Sequence, residues 1–479
     1  MRSLAAAVAA LVATTFGKEM AKDPKRAAEL YDSGLMHEMI MSKKETFWAR
    51  ERKAGIYAQD WPELHFAQCR DGKAIPFRDQ PTNFYRCNNV NLHHFLSHKA
   101  LGSTVGEGSS SWGWVSDDGR EFAIIAQGDG AAFAERQITN AGKLRYLGRL
   151  PQTAGTPTSR WREIRTYKHY IVIASETYDH HIQIFDLKKL LDIDYRKGPV
   201  TFDPEKDLTG FYGNLPDGRA HNILTNDETG FAYVVGARPR TSECRSGLIF
   251  LNLTDPSNPV SPGCASADGY VHDAQCLVYK GPDSRYLGRE ICYGYNEDSL
   301  TIYDVTDKEW PELVSVTSYE GATYTHQGWV LDKEWQQYLV LDDEYDEIDK
   351  RGPGADGYAV TFIWDISDLE QPRQTGYYKA PRISNDHNQY VIGNYSYQSN
   401  YGAGISVLDI SSIPTNPTGS GVREVAWFDV YPENDNEVGG GSLQFVGTWS
   451  SYADYPSGYI LINTIERGAW VVKIQNPLP

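Results

Sequence analysis

Positive charge, methionine and long apolar runs are all scarce in this chain. Lys and Arg total 46 against 63 Asp and Glu, a formal charge of −17. Nucleic-acid binding rests on neutralising phosphates with Lys and Arg, so no nucleic-acid partner is expected. No segment reaches the ~18 apolar residues of a membrane-crossing helix, so no membrane span is expected. The GxSxG, P-loop, HExxH, EF-hand and dinucleotide signatures are missing. Against only 5 Met stand 31 Tyr and 12 Trp, aromatics that suit pleated strands, with 43 Gly and 24 Pro for turns.

The N-terminus reads as a secretory signal peptide over residues 1–17. Arg2 is a short positive region, Leu4 to Val12 an apolar run too short to span a membrane, and Thr15 and Gly17 are small residues suited to cleavage near Gly17. A secreted, extracellular protein is expected. Six cysteines then favour disulfides. Fifteen pairings are possible. Joining sequence neighbours would give Cys69–Cys87, Cys244–Cys264 and Cys276–Cys292. Asn252 and Asn394 head N-glycosylation triplets.

Residues 18–108 differ from the rest. The charged, Ala- and Glu-rich segment to about residue 60 has helical spacing, and an irregular, disulfide-tied connection follows. His93, His94 and His98 fall in that connection and read as linker residues. From 109 to 479 strands and turns repeat. An apolar strand closing on Asp or Asn, then a turn, recurs as IFDLKKL (184–190), FLNLTDPSNPV (250–260), IYDVTDKEWPEL (302–313), IWDISDLEQP (363–372) and VLDISSIPTNP (407–417). A degenerate copy at 132–150 and the strand WVVKIQNP (470–477) bring the set to seven. Repeats of this length with several short strands each predict an all-β fold, a seven-bladed β-propeller with a short helical extension.

Each unit also has a recognisable start, predicted to be its innermost strand. Aligned, these starts put Trp112, Trp161, His221, His272, His326, His387 and Trp449 at one position. The chain has only 12 His. Four at one register would converge on the propeller axis and form a site for a transition metal, Mn, Fe, Cu or Zn. Each is followed by a polar residue, Asn222, Asp273, Gln327 or Asn388, placed to hydrogen-bond a neighbouring ring; Gln275 is a further candidate. Arg162, Glu163 and Asp273 are the candidate catalytic groups, Arg162 as a binder of carboxylate. The run from Asp342 to Glu347 offers clustered carboxylates for Ca²⁺, although a solvated acidic turn is the plainer reading.

The starts SSWGW, WREI, AHNI, HDAQC, THQGW and DHNQY, with GREICY and LDDEYDE, resemble the choice-of-anchor B family, described through LVIVD repeats. The resemblance runs from Cys69 to the end and implies a secreted propeller of the fungal form, with Cys244 paired to Cys264 and Cys276 to Cys292. It implies no particular reaction. The chain departs from the family in a longer Cys69–Cys87 loop and a degraded closing phrase at Ala134-Glu135-Arg136. Two functions are expected to compete. One is a metalloenzyme acting on an extracellular glycan or small molecule, by O₂ activation or by Lewis-acid-assisted β-elimination of a uronate. The other is a non-catalytic binding or adhesion propeller with a structural metal or none.

Overall fold

A computed structural model describes residues 18–77, 79–80, 83–137 and 142–479. The expected signal peptide, residues 1–17, lies outside the described residues. The strands fall into seven sheets. Their first strands are Gly108–Val115, Arg162–Tyr167, Asn222–Asn226, Asp273–Val278, Thr325–Val330, Gln389–Ile392 and Thr448–Tyr452. Each packs beside the first strand of the next sheet, and the last packs beside the first. The sheets therefore close into a β-propeller around a shaft lined by these inner strands.

The recurring closing phrases form the third strand of each sheet, among them Ile182–Asp186, Leu300–Asp304 and Ile405–Asp409. Their apolar residues are buried on both faces because a sheet is packed on either side. The terminal Asp makes the turn. The Asp304 carboxylate accepts the Thr306 N–H at 3.0 Å, Asp365 that of Ser367 at 2.9 Å and Asp409 that of Ser411 at 3.0 Å. Such side-chain bonds stabilise the turn locally.

Val90–Ser97, expected in the connection, is the outermost strand of the last sheet. It pairs antiparallel with Gly468–Ile474, Phe95 opposite Trp470. His93 and His94 are thus strand residues, and His98, directly after the strand, bonds the Thr464 carbonyl at 2.7 Å. Tyr85–Asn88 likewise extends the neighbouring sheet through Arg423–Phe428. Three disulfides are present, Cys69–Cys87, Cys244–Cys264 and Cys276–Cys292. Among the described residues no helix is long and apolar enough to cross a membrane.

The longest helix, Leu35–Lys53, lies across one mouth of the shaft. Its inward face buries Met36, His37, Ile40, Lys44 and Trp48. The Trp48 ring packs against Trp161 at 5.2 Å and Trp449 at 6.3 Å, and its N–H donates to the Phe445 carbonyl at 2.8 Å. Leu35 and Met39 on the outer face stay exposed.

Candidate metal centre

His221, His272, His326 and His387 stand at or just before the start of four successive inner strands. That placement turns their rings onto the shaft, where they form an arc. Consecutive ring centroids lie 4.2, 4.4 and 4.5 Å apart, and the Trp449 ring continues the series 4.9 Å from His387. The rings are held from behind through Nδ1. His272 bonds the His326 carbonyl at 2.9 Å and His387 the Trp449 carbonyl at 2.6 Å. His326 bonds the Asp342 carboxylate at 3.1 Å, and His221 that of Glu176 at 2.5 Å. A carbonyl can only accept, so Nδ1 of His272 and His387 carries the proton and Nε2 keeps its lone pair. Backing of this kind orients metal-ligating histidines. Burial, first of all, holds His272 and His326 well below the ordinary imidazole range and His387 at about 4. The rings of His272, His326 and His387 are neutral, the form that binds metal.

A carboxylate completes the group. Glu344 sits with His272 and His326 so that one ligand atom from each lies within 4.8 Å of the others, and all three are buried. Its Oε1 takes the Lys44 ammonium at 2.5 Å and the Tyr401 hydroxyl, while Oε2 is buried without a partner. Burial raises the Glu344 pKa, but Lys44, His387 and Tyr401 together bring it below the usual value. Lys44 reaches the site from the helix, as does His37, whose Nδ1 bonds the Tyr324 hydroxyl at 2.6 Å.

Glu344 belongs to the acidic run, which is not a solvated turn. Asp342, Asp343, Glu344, Asp346 and Glu347 are all buried. The strand Tyr338–Asp343 is second in its sheet, so its end runs inward under the helix. Asp343 accepts the Thr323 N–H at 2.8 Å and the Tyr319 hydroxyl at 2.9 Å. The carboxyls of Asp346 and Glu347 lie against each other and take no donor from another side chain, and the amide of Asn385 has no partner.

The other expected residues divide. None of Asn222, Asp273, Gln327 and Asn388 bonds a histidine ring. Asn222 and Asp273 accept the next backbone N–H, Gln327 accepts from Gln389 N–H, and Asn388 donates to the Trp449 carbonyl. The backing groups are carbonyls and carboxylates instead: those of His221, His272 and His387 lie on an adjacent sheet, and that of His326 on the paired strand of its own sheet. Arg162 is not at the shaft. Its guanidinium bonds the Gln127 carbonyl, Gln152 and His180 between sheets. Strand residues alternate sides, so Glu163 and Arg165 share the opposite face, and Arg165 is the arginine of the shaft. It pairs with Glu163, donates to the Tyr390 hydroxyl at 3.1 Å and stacks 4.4 Å over Trp112. Asp273 is close to both. Burial pushes its carboxyl up to about 7, Glu163 adding to the shift and Arg165 opposing it.

Trp112 shares the histidines' position in the repeat but lies deeper along the shaft, with Tyr390 at 5.3 Å and Tyr452 at 5.2 Å. An irregularity between Gly108 and Ser111 displaces the register of its strand. A second cluster, Glu63, His65 and His94, stands at the outer edge of the last sheet, two of the three exposed. Asn394 is exposed at a turn, and Asn252 is half-buried with its side-chain oxygen held by Thr254 N–H.

No family model and no curated protein matches this chain. Among solved structures, the computationally designed Ika8 protein is similar over 77% of this chain and 97% of that chain, at 9% identity and a TM-score of 0.42.

Proposed function

We propose that this is a secreted metalloenzyme on a seven-bladed propeller, one blade per sheet, holding a transition metal on the axis and acting on an extracellular glycan. The observation that carries it is the donor set. His272, His326 and Glu344 offer three converging ligand atoms, the imidazoles are neutral, and each is backed through Nδ1. His221 and His387 flank the group in the same arc. Imidazole with one carboxylate suits Mn, Fe, Cu or Zn. A bound ion would supply Lewis-acid or O₂ chemistry. The chain's own residues then divide the remaining work. Asp273 is poised to hold or release a proton near neutral pH, and Glu163 and Arg165 orient what enters the shaft. With Arg162 away from the shaft and Arg165 already paired to Glu163, oxidative cleavage is favoured over uronate elimination. Three disulfides accord with export, as does the resemblance to the choice-of-anchor B family. A harder cation, calcium, is the reading for the facing carboxyls of Asp346 and Glu347.

The alternative, a non-catalytic binding propeller, draws support from Lys44, whose ammonium occupies Glu344 where a metal would bind. Elemental analysis of the purified protein tests the choice. One transition-metal ion per chain is expected, lost in His326→Ala and in Glu344→Gln. A metal-replete protein with no stoichiometric metal would remove the basis of the enzyme reading.

A further inference from the structure

The end of the shaft away from the helix is open. It forms a cavity of about 410 Å³, walled by Trp112, Trp329, Tyr390 and Tyr452, with Arg165 and Gln275 among its lining. Gln275, Trp329 and Tyr390 each follow a shaft histidine by three residues, roughly 10 Å along a strand. The mouth and the histidine arc are thus two levels of one shaft.

We infer that this open mouth binds a neutral carbohydrate chain. The inference rests on the glycan part of the reading above and names the class of glycan. Trp329 and Tyr390 rings meet at 5.2 Å, edge to face, and the Trp112 ring meets Tyr390 the same way at 5.3 Å. Trp112, Trp329 and Tyr452 are half-buried, so they present surface to the cavity while their frames are fixed by packing. An aromatic face carries negative charge density and favours the weakly positive C–H face of a sugar ring. Hydroxyls need partners beside that face, and Gln275 supplies one. Its Oε1 accepts the Val330 N–H at 2.9 Å. A backbone N–H can only donate, so this bond fixes which end of the amide is which. The Nε2 group, on a residue only 4% exposed, is left with no partner. A buried donor without an acceptor is costly, and a sugar hydroxyl would satisfy it.

Charge decides between neutral and acidic sugars. The arginine of the mouth is already neutralised by Glu163. Around the opening stand the exposed carboxylates of Asp227, Glu228 and Asp454, against one lysine, Lys333. With a formal chain charge of −17, this rim repels a polyuronate and tolerates an uncharged chain.

Calorimetric titration of the full chain tests this, using neutral cello-, xylo- and manno-oligosaccharides beside an oligogalacturonate. At least one neutral chain should bind, and the oligogalacturonate should bind at least tenfold more weakly. Trp329→Ala and Gln275→Glu should each weaken binding tenfold or more without changing the melting temperature by more than a few degrees. Gln275→Glu keeps the acceptor for Val330 and replaces only the free donor. Binding should persist after chelator treatment, so loss of the metal reading would leave this one standing. No binding by any neutral chain, preference for the uronate, or indifference to both substitutions would overturn it.

Discussion

Lys44 is the residue on which the centre turns. Its ammonium is buried against Glu344 and lies 4.7 Å over the Phe445 ring. Burial lowers its pKa, and Glu344 opposes the shift. Removing one partner of a buried pair strands the other and costs about 3–5 kcal/mol. Lys44→Met should therefore destabilise the metal-free protein by about that amount in urea titrations, and added transition metal should restore much of the loss by taking the place of the ammonium. If metal restores nothing, Glu344 is not a ligand. Lys44 and Glu344 also mark where the sequence stops being legible. Four histidines at one register could be read from spacing, since an inner strand repeats its direction in every sheet. Glu344 could not, because a carboxylate in LDDEYDE looks the same whether its strand ends in solvent or beneath a helix. Arg162 and Arg165 show a finer limit. Both lie on the same short strand, and only the parity of a side chain decides which enters the shaft.

The helix Leu35–Lys53 is the element that converts an open ring into a covered site. Its charged composition gave little hint of this, since the residues that bind, His37, Lys44 and Trp48, are interspersed with exposed charges. Trp48 anchors it, fully buried and hydrogen-bonded. Trp48→Ala should cost about 3–5 kcal/mol in denaturant unfolding, unless the helix detaches from an otherwise intact propeller. In that case a separate low-temperature transition should appear in calorimetry. The buried carboxylates beneath the helix make a second element-scale prediction. Burial, foremost, holds Asp346, Glu347 and Asp386 well above their usual pKa values, with added repulsion from Asp343 on Asp346 and Asp386 and from Asp346 and Asp386 on Glu347. A raised carboxylate binds its proton more tightly folded than unfolded. Its contribution is complete below the unfolded value near 4 and is lost as pH rises. In chelator, the urea midpoint should fall from pH 5 toward pH 8. Calcium should reverse the fall, and Asp346→Asn with Glu347→Gln should flatten it. A midpoint that rises with pH would show these groups to be ionised and compensated.

At the scale of the molecule, the closing phrases marked the third strand of every sheet, because a strand buried on both faces must be apolar wherever it occurs. Closure of the ring was not legible. Val90–Ser97 completes the last sheet from far away in sequence, and no local pattern announces a partner some 370 residues on, at Gly468–Ile474. Phe95→Asp, opposite Trp470 in that seam, should lower the unfolding midpoint of the whole protein in a single cooperative step. A fluorescence transition confined to one sheet would contradict this. The helix across one mouth has a last consequence. With that end stopped, the cavity at the other end is a well with a single door. A polymer cannot be threaded through it, and whatever enters must leave by the way it came. Only a chain terminus fits such a well, so attack there would trim ends and leave the middle of a long chain uncut.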